Sequence, residues 1–192
     1  DLVPTVAVPI WNAAGVLPPN DSADPMSTQR SPYRVSLLDV VTRFATSPER
    51  RRILRGWLGL RAGLHGMGLS SGFQWLDGSF LEHIEVLERR VPKDIDVVTF
   101  VDTPPTFAPD PTQVAHLDHD WVKQTYAVDH YFVELNQMSP ANLVSKAAYW
   151  YSMWSHRRDA AWKGFLQVDL NTIQDHQALA WLDLQDQTQV RP

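Results

Sequence analysis

The chain of 192 residues contains no cysteine. Disulfides, zinc knuckles, iron–sulfur clusters and thiol catalysis are excluded together. No apolar run approaches the ~20 residues needed to span a bilayer, and no signal-peptide pattern is visible. Broad positive charge is missing as well. The formal net charge is −5, so the molecule as a whole offers no attraction for nucleic acid or an anionic membrane. A phosphate-bearing partner would have to meet a local basic patch. Walker and dinucleotide glycine motifs are absent, and no Ser–His–Asp arrangement is legible. These absences set the expectation of a cytoplasmic protein without a membrane partner.

What is present is an ordinary globular composition, 44% hydrophobic and 20% charged, at a length that suits one domain. Repeats, low-complexity tracts and linkers are not seen. The chain carries 8 tryptophans. Trp150, Trp154, Trp162 and Trp181 cluster in the C-terminal half and read as core and helix-packing residues, since large aromatics dominate burial energetics. Residues 1–35 carry Pro4, Pro9, Pro18, Pro19, Pro25 and Pro32 with little periodicity. They read as an extended arm wrapping the domain through Val6, Val8, Ile10 and Trp11.

Helical signals begin at Ser36 and cover Leu37–Ala45. A clearer start follows, with Ser47 as N-cap, Pro48 at the first helical position and Glu49 in the first turn. Ile53, Trp57, Leu60 and Leu64 then recur at helical spacing, and Gly66 with Gly68 ends the helix. Gly56, Gly59 and Gly63 inside it are unfavourable for propensity, which predicts close packing against another backbone. Phe73–Asp77 reads as a strand, Leu81–Arg89 as a helix, and Ile95–Val101 as a strand. A helix over Val114–Gln124, a strand over Tyr126–Leu135 and a helix from Ser139-Pro140 to Trp154 follow. Phe165–Leu170 and Thr172–Leu184 complete the chain as strand and helix. The fold class expected is α/β (α+β), a mixed sheet flanked by helices with an extended N-terminal arm and C-terminal helices.

The informative segment is Gly78-Ser79-Phe80, followed by Asp94-Ile95-Asp96. Side chains alternate along a strand, so Asp94 and Asp96 project to one side. Two carboxylates on one face repel each other unless paired, and a divalent cation removes that cost. Hard cations such as Mg²⁺ take oxygen ligands and keep waters for a phosphate-bearing substrate. A third carboxylate would complete a site for two metals ~3.5–4 Å apart. In Val128–Glu134, Asp129 and Glu134 lie on opposite faces, and Asp129 is preferred because a strand-buried aspartate needs a partner. A helix beginning at Ser79 would aim free N–H groups at an anion, and Gly78 would permit close backbone approach.

Gly-Ser after a strand, Asp-x-Asp opening the next strand and an Asp in a third strand together resemble the DNA polymerase beta-like nucleotidyltransferase superfamily. The longer string Gly72–Phe80, with Pro92-Lys93-Asp94-Ile95-Asp96, is similar to a bacterial family of nucleotidyltransferase-like proteins of unassigned function. The resemblance covers residues 72–135. It implies a nucleotidyltransferase-type sheet in which Gly78 and Ser79 contact the phosphates of a nucleoside triphosphate. It further implies that Asp94, Asp96 and Asp129 hold Mg²⁺ or Mn²⁺ and carry the catalysis. The implied reaction moves a nucleoside monophosphate to an acceptor hydroxyl on a protein, a nucleotide or RNA.

The Gly-Ser to Asp-x-Asp spacing is longer than in the minimal members of that superfamily, and two further features depart from the pattern. The positions after Gly78-Ser79 read Phe80-Leu81-Glu82-His83 where a basic residue is common, and Glu82, Glu85 and Glu88 form an acidic helical face that would repel triphosphate. They favour an alternative, a catalytically silent nucleotidyltransferase fold that serves as a binding or regulatory partner of toxin–antitoxin or defence type. A partner protein or a homodimer accompanies that reading. A plain structural α/β domain without a metal site is the third.

Among other candidates, His116-Leu117-Asp118-His119-Asp120 reads as a solvated loop or helix start, since two histidines without a further ligand do not make a metal site. Arg50, Arg51, Arg52, Arg55 and Arg61 lie opposite Ile53 and Trp57 and read as a solvated helix face, with phosphate or RNA-backbone contact as the functional option. His156, Arg157, Arg158 and Lys163 follow Trp150 and Trp154; such interleaving can stack bases and is equally expected where a core helix meets solvent.

Overall fold

The computed structural model describes residues 4–189. Ser36 and Ser47 cap the first two helices as their sequence signals predict. Each side chain accepts from the amide three residues on, opening α1 (Leu37–Phe44) and α2 (Pro48–Gly66). The strands β1 (Tyr33–Val35), β2 (Gly72–Asp77), β3 (Ile95–Val101), β4 (Val128–Glu134) and β5 (Leu166–Asp169) form one mixed sheet in the order β1-β5-β2-β3-β4. β2 is antiparallel to both β3 and β5, whereas β3–β4 and β1–β5 are parallel. The remaining helices are α3 (Ile84–Leu87), α4 (His119–Tyr126), α5 (Pro140–Trp154) and α6 (Asp175–Gln189). This is the mixed sheet flanked by helices that the patterning predicts. No described helix is long and apolar enough to cross a membrane.

α2 lies on the face of the sheet that carries Gln74, and its predicted stripe of Ile53, Trp57, Leu60 and Leu64 is fully buried. Its glycines do what their low propensity implied. A Cβ on Gly56 would stand 1.8 Å from the Tyr126 carbonyl oxygen, and one on Gly63 would stand 2.0 Å from the His116 ring. Opposite, α5 reaches the sheet through Trp150, tilted against Tyr131, and Trp154, edge-on to Phe165. The N-terminal arm is extended as expected, with Val6, Val8 and Trp11 packed on the core. Ile10, grouped with them in the sequence, is 78% exposed. Trp11 is pinned by its indole N–H to the Leu81 carbonyl at 2.6 Å and stacks on His83.

Three expectations are corrected. The helix predicted over Leu81–Arg89 shrinks to one turn, Ile84–Leu87, after a 3₁₀ turn at Ser79–Leu81. The cause is tertiary: the Arg50 guanidinium takes the Phe80 and Glu82 carbonyls, and the His83 amide donates to Gly15. Those groups are then unavailable to a helix. The helix over Val114–Gln124 breaks at Asp118, whose carboxylate caps a new start by accepting from the Trp121 amide at 2.7 Å. Of the arginines expected on a solvated face only Arg52 is exposed, and Arg55 is half-buried. Arg50, Arg51 and Arg61 are 0%, 3% and 0% exposed.

Arg61 shows why α2 tolerates buried charge. It binds Asp175 through two N–H groups, the Gln74 amide oxygen, and the carbonyls of Asp169 and Asn171. Gln74 passes the network on to Thr99 at 2.9 Å, and the Thr99 hydroxyl meets His130 Nε2 at 2.7 Å. A neutral His130 with its proton on Nδ1 lets the Thr99 hydroxyl donate to Nε2 while it accepts from the Gln74 amide. Burial pushes His130 down to about 3, which keeps the ring neutral. Replacing Arg61 with leucine takes the donor from Asp175 and from the Asp169 and Asn171 carbonyls, while the Gln74 amide oxygen keeps the Trp57 indole. Urea denaturation is expected to show a loss of about 3–5 kcal/mol, and Arg52→Leu, on the exposed side of the same helix, under about 0.5 kcal/mol.

Candidate active site

β2, β3 and β4 each bring one aspartate to the same end of the sheet. In the register, Asp77 is opposite Asp96, and Asp96 is opposite Asp129. Residues directly opposite point to one face, with Cβ atoms about 4.5–5.5 Å apart. Asp94 precedes β3 and shares the face of Asp96 by alternation. Three of these acids are the sequence-predicted set, which the fold brings together. The fourth, Asp77, was read only as the end of a strand. Its membership follows from an antiparallel register that one strand's sequence does not reveal.

The row carries more negative charge than the protein supplies partners for. Lys163 is 5% exposed and its Nζ sits 2.8 Å from Asp77 and 3.4 Å from Glu82. Burial pushes the Lys163 ammonium down, but the two acids more than offset that and its pKa is raised. Burial likewise pushes Asp77 up, to about 6, against the pull of Lys163. The Lys123 ammonium binds Asp129 and lies 3.6 Å from Asp94. Asp129 also meets His119 Nε2 at 2.8 Å. Burial works against its carboxylate, yet Lys123, His119 and Tyr131 hold it below the usual range. Two lysines thus answer four aspartates, and Asp96 is left without an ion-pair or hydrogen-bond partner among the described residues. Burial first, then repulsion from Asp77, Asp94 and Asp129, pushes Asp96 up to about 7.

Gly78 and Ser79 follow Asp77 directly, at the same end of the sheet. Gly78 has φ 86°, and a Cβ there would stand 2.8 Å from the Asp96 carboxylate. The glycine therefore makes room for Asp96. Ser79 opens a 3₁₀ turn of three residues, so the expected helix N-terminus does not form. Its hydroxyl has no hydrogen-bond partner among the described residues. The acidic face expected of Glu82, Glu85 and Glu88 is answered by cations: Glu82 by Lys163 and Arg157, Glu85 by Arg50, Glu88 by Arg90 and Arg157.

α5 roofs the row. A cleft of about 200 Å³ is lined by Asp96, Asp129, Tyr131, Tyr149, Trp150, Met153 and Trp154. The oxygen donors beneath it are the chemistry that suits a hard divalent cation. As they stand, no three acidic or histidine side chains among the described residues are drawn together for an ion. The Lys123 ammonium is held between Asp94 and Asp129, and its side chain is 41% exposed.

A five-stranded mixed α/β domain with an aspartate row beneath an aromatic helix is the class these features define. The model of DUF6932, a family of unknown function, matches residues 9–169, and the chain belongs to that family. No curated protein and no solved structure matches it.

The raised Asp96 has a stability consequence. Its carboxyl changes from an ordinary value of 3.8 to about 7 on folding, so between those limits the folded state keeps a proton that the unfolded chain has released. Stability therefore falls as pH rises through that window and levels off above it. Asp96→Asn removes the fall. In chelator, the variant is expected to match the wild type near pH 4 and to exceed it by about 2 kcal/mol near pH 8, read from urea midpoints at the two pH values. A variant no more stable at pH 8 than at pH 4, relative to wild type, would show that Asp96 ionises freely.

Proposed function

We propose that the protein is a metal-dependent nucleotidyltransferase that moves a nucleoside monophosphate from a nucleoside triphosphate to an acceptor hydroxyl. The observation that carries the reading is the aspartate row across β2, β3 and β4, joined by Asp94 and short of cationic partners. Further support is the order along the chain: a strand, Gly78-Ser79, then Asp94-x-Asp96 opening an antiparallel strand, then Asp129 on a parallel one. That order matches the nucleotidyltransferase pattern the sequence resembles.

Asp94, Asp96 and Asp129 would hold Mg²⁺ or Mn²⁺. The bound ion would supply charge neutralisation to the phosphates and to the transferred group. The chain's own residues do the rest. The free Ser79 hydroxyl and the open backbone at Gly78 are available to a phosphate oxygen beside the row. Asp129, tied to His119 and Tyr131, is oriented to accept a proton from an attacking hydroxyl. Lys123, released from Asp129, would carry its ammonium toward the polyphosphate and supply the basic group that the stretch after Ser79 lacks. α5 covers Asp96 and Asp129 with Trp150 and Trp154.

One observation favours the silent alternative, a nucleotidyltransferase-type fold acting as a regulatory partner of another protein. The Lys123 ammonium already fills the space between Asp94 and Asp129, as a permanent substitute for a cation would. Calorimetry separates the two, since only the catalytic reading expects ATP binding that requires Mg²⁺.

The direct test incubates the protein with labelled triphosphates, Mg²⁺ or Mn²⁺ and a cell extract. Transfer of label is expected, reduced at least ~100-fold by Asp94→Ala with Asp96→Ala. Label that survives the double substitution removes these carboxylates from the reaction.

A further inference from the structure

The cleft above the row combines two features that the transfer chemistry alone does not require. Its floor is Asp96 and Asp129, and its walls are Tyr131, Tyr149, Trp150 and Trp154. The rings stand close, with Tyr131–Trp150 centroids 4.9 Å apart, Tyr149–Trp150 5.2 Å and Trp150–Trp154 5.3 Å. The ring pairs are inclined at 47°, 77° and 61°, which leaves no parallel gap for a flat base between them. Aromatic faces attract a cation through the ring quadrupole, most strongly where water is excluded. At about 200 Å³ the space falls below the ~300–1,000 Å³ typical of sites that enclose a whole drug-sized ligand. It suits a head group. Among its lining residues the only ionisable groups beside the tyrosines are acids, and of these Asp96 makes no ion pair among the described residues, with Lys163 acting on it only at longer range.

We propose that this cleft binds an alkylammonium group, with Asp96 supplying the counter-charge and Tyr149, Trp150 and Trp154 the cation–π wall. The occupant is an organic amine in its charged form. The binding does not rest on the nucleotidyltransferase reading; in that reading a metal ion on Asp96 competes with the amine, which therefore binds the metal-free protein. Lys123 illustrates the preference from the other side of the row, where its ammonium settles on Asp129. Arg43 and Arg61 lie 4.3 Å and 5.6 Å from the centroids of Trp11 and Trp57, whereas no described cation is recorded over the rings of α5.

The test titrates the full chain, in chelator and without nucleotide, with tetramethylammonium chloride. Tryptophan fluorescence is followed against a sodium chloride control and against tert-butanol as an uncharged ligand of similar shape. Saturable quenching by the cation is expected, with the alcohol at least ~10-fold weaker. Tyr149 is 55% exposed, so Tyr149→Leu leaves the core intact and is expected to weaken binding about fivefold, with Asp96→Asn about tenfold. Thermal melts of both variants establish that they fold. Equal binding of cation and alcohol, no saturable signal, or unchanged affinity in both folded variants overturns the proposal. Cation binding in a protein that transfers no label leaves this inference standing and removes the transferase reading. Transfer without cation binding does the reverse.

Discussion

Like charges in register across neighbouring strands are the constraint around which this molecule is arranged. Asp77, Asp96 and Asp129 cannot be separated without breaking the sheet, because their neighbours Leu76, Val97 and Val128 are buried in the core. A one-residue slip would exchange the two faces of a strand and put carboxylates among aliphatic side chains. The register is therefore held by hydrophobic burial, and the electrostatic cost is met locally. Lys163 arrives from the loop before β5, Lys123 and His119 from α4, and the aromatic side chains of α5 close over what is left. A site with more acid than base favours ligand chemistry that brings positive charge.

The same logic runs on the other face with opposite sign. α2 places Arg50 and Arg61 in the core, and each organises a segment with little regular structure of its own. Arg50 fixes the turn from Phe80 to Glu85, which connects the Gly78-Ser79 corner to the rest of the domain. Arg61 fixes the exit of β5 and the entry to α6. The guanidinium suits this task because it offers several donors in a rigid plane, satisfying separate carbonyls and a carboxylate at once. The site and its supports are thus one electrostatic system divided by the sheet.

Much of the fold is legible in the sequence where local rules operate. Ser36, Ser47-Pro48 and Ser139-Pro140 mark helix starts, and the β-rich runs around Val98 and Tyr131 mark strands. The glycines of α2 signal close contact, and that contact proves to be the Tyr126 carbonyl. The Asp94, Asp96 and Asp129 convergence is legible because alternation and strand adjacency suffice to foresee it. Asp77 and Lys163 are not, since their meeting depends on the pairing of β2 with both neighbours and on a loop 86 residues away. The arginines are misread for a related reason. Helical periodicity separates faces but cannot say that both faces are covered, and α6, which clamps Arg51, Arg55 and Arg61, lies more than 110 residues from the nearest of them.

The place of β5 in the sheet has a consequence for how the chain comes to be folded. It is the last strand made and it lies between β1 and β2, so the first strand has no partner until residue 166 has emerged. β2, β3 and β4 can pair earlier, assembling the acidic row before Lys163 is available to it. During synthesis there is an interval in which Asp77 must stay hydrated or protonated and in which one edge of β2 stands open. The short β1 spends that interval without its neighbouring strand, while Trp11 can already meet Leu81 and His83. Insertion of β5 then joins the two ends of the domain and seats the lysine in a single step.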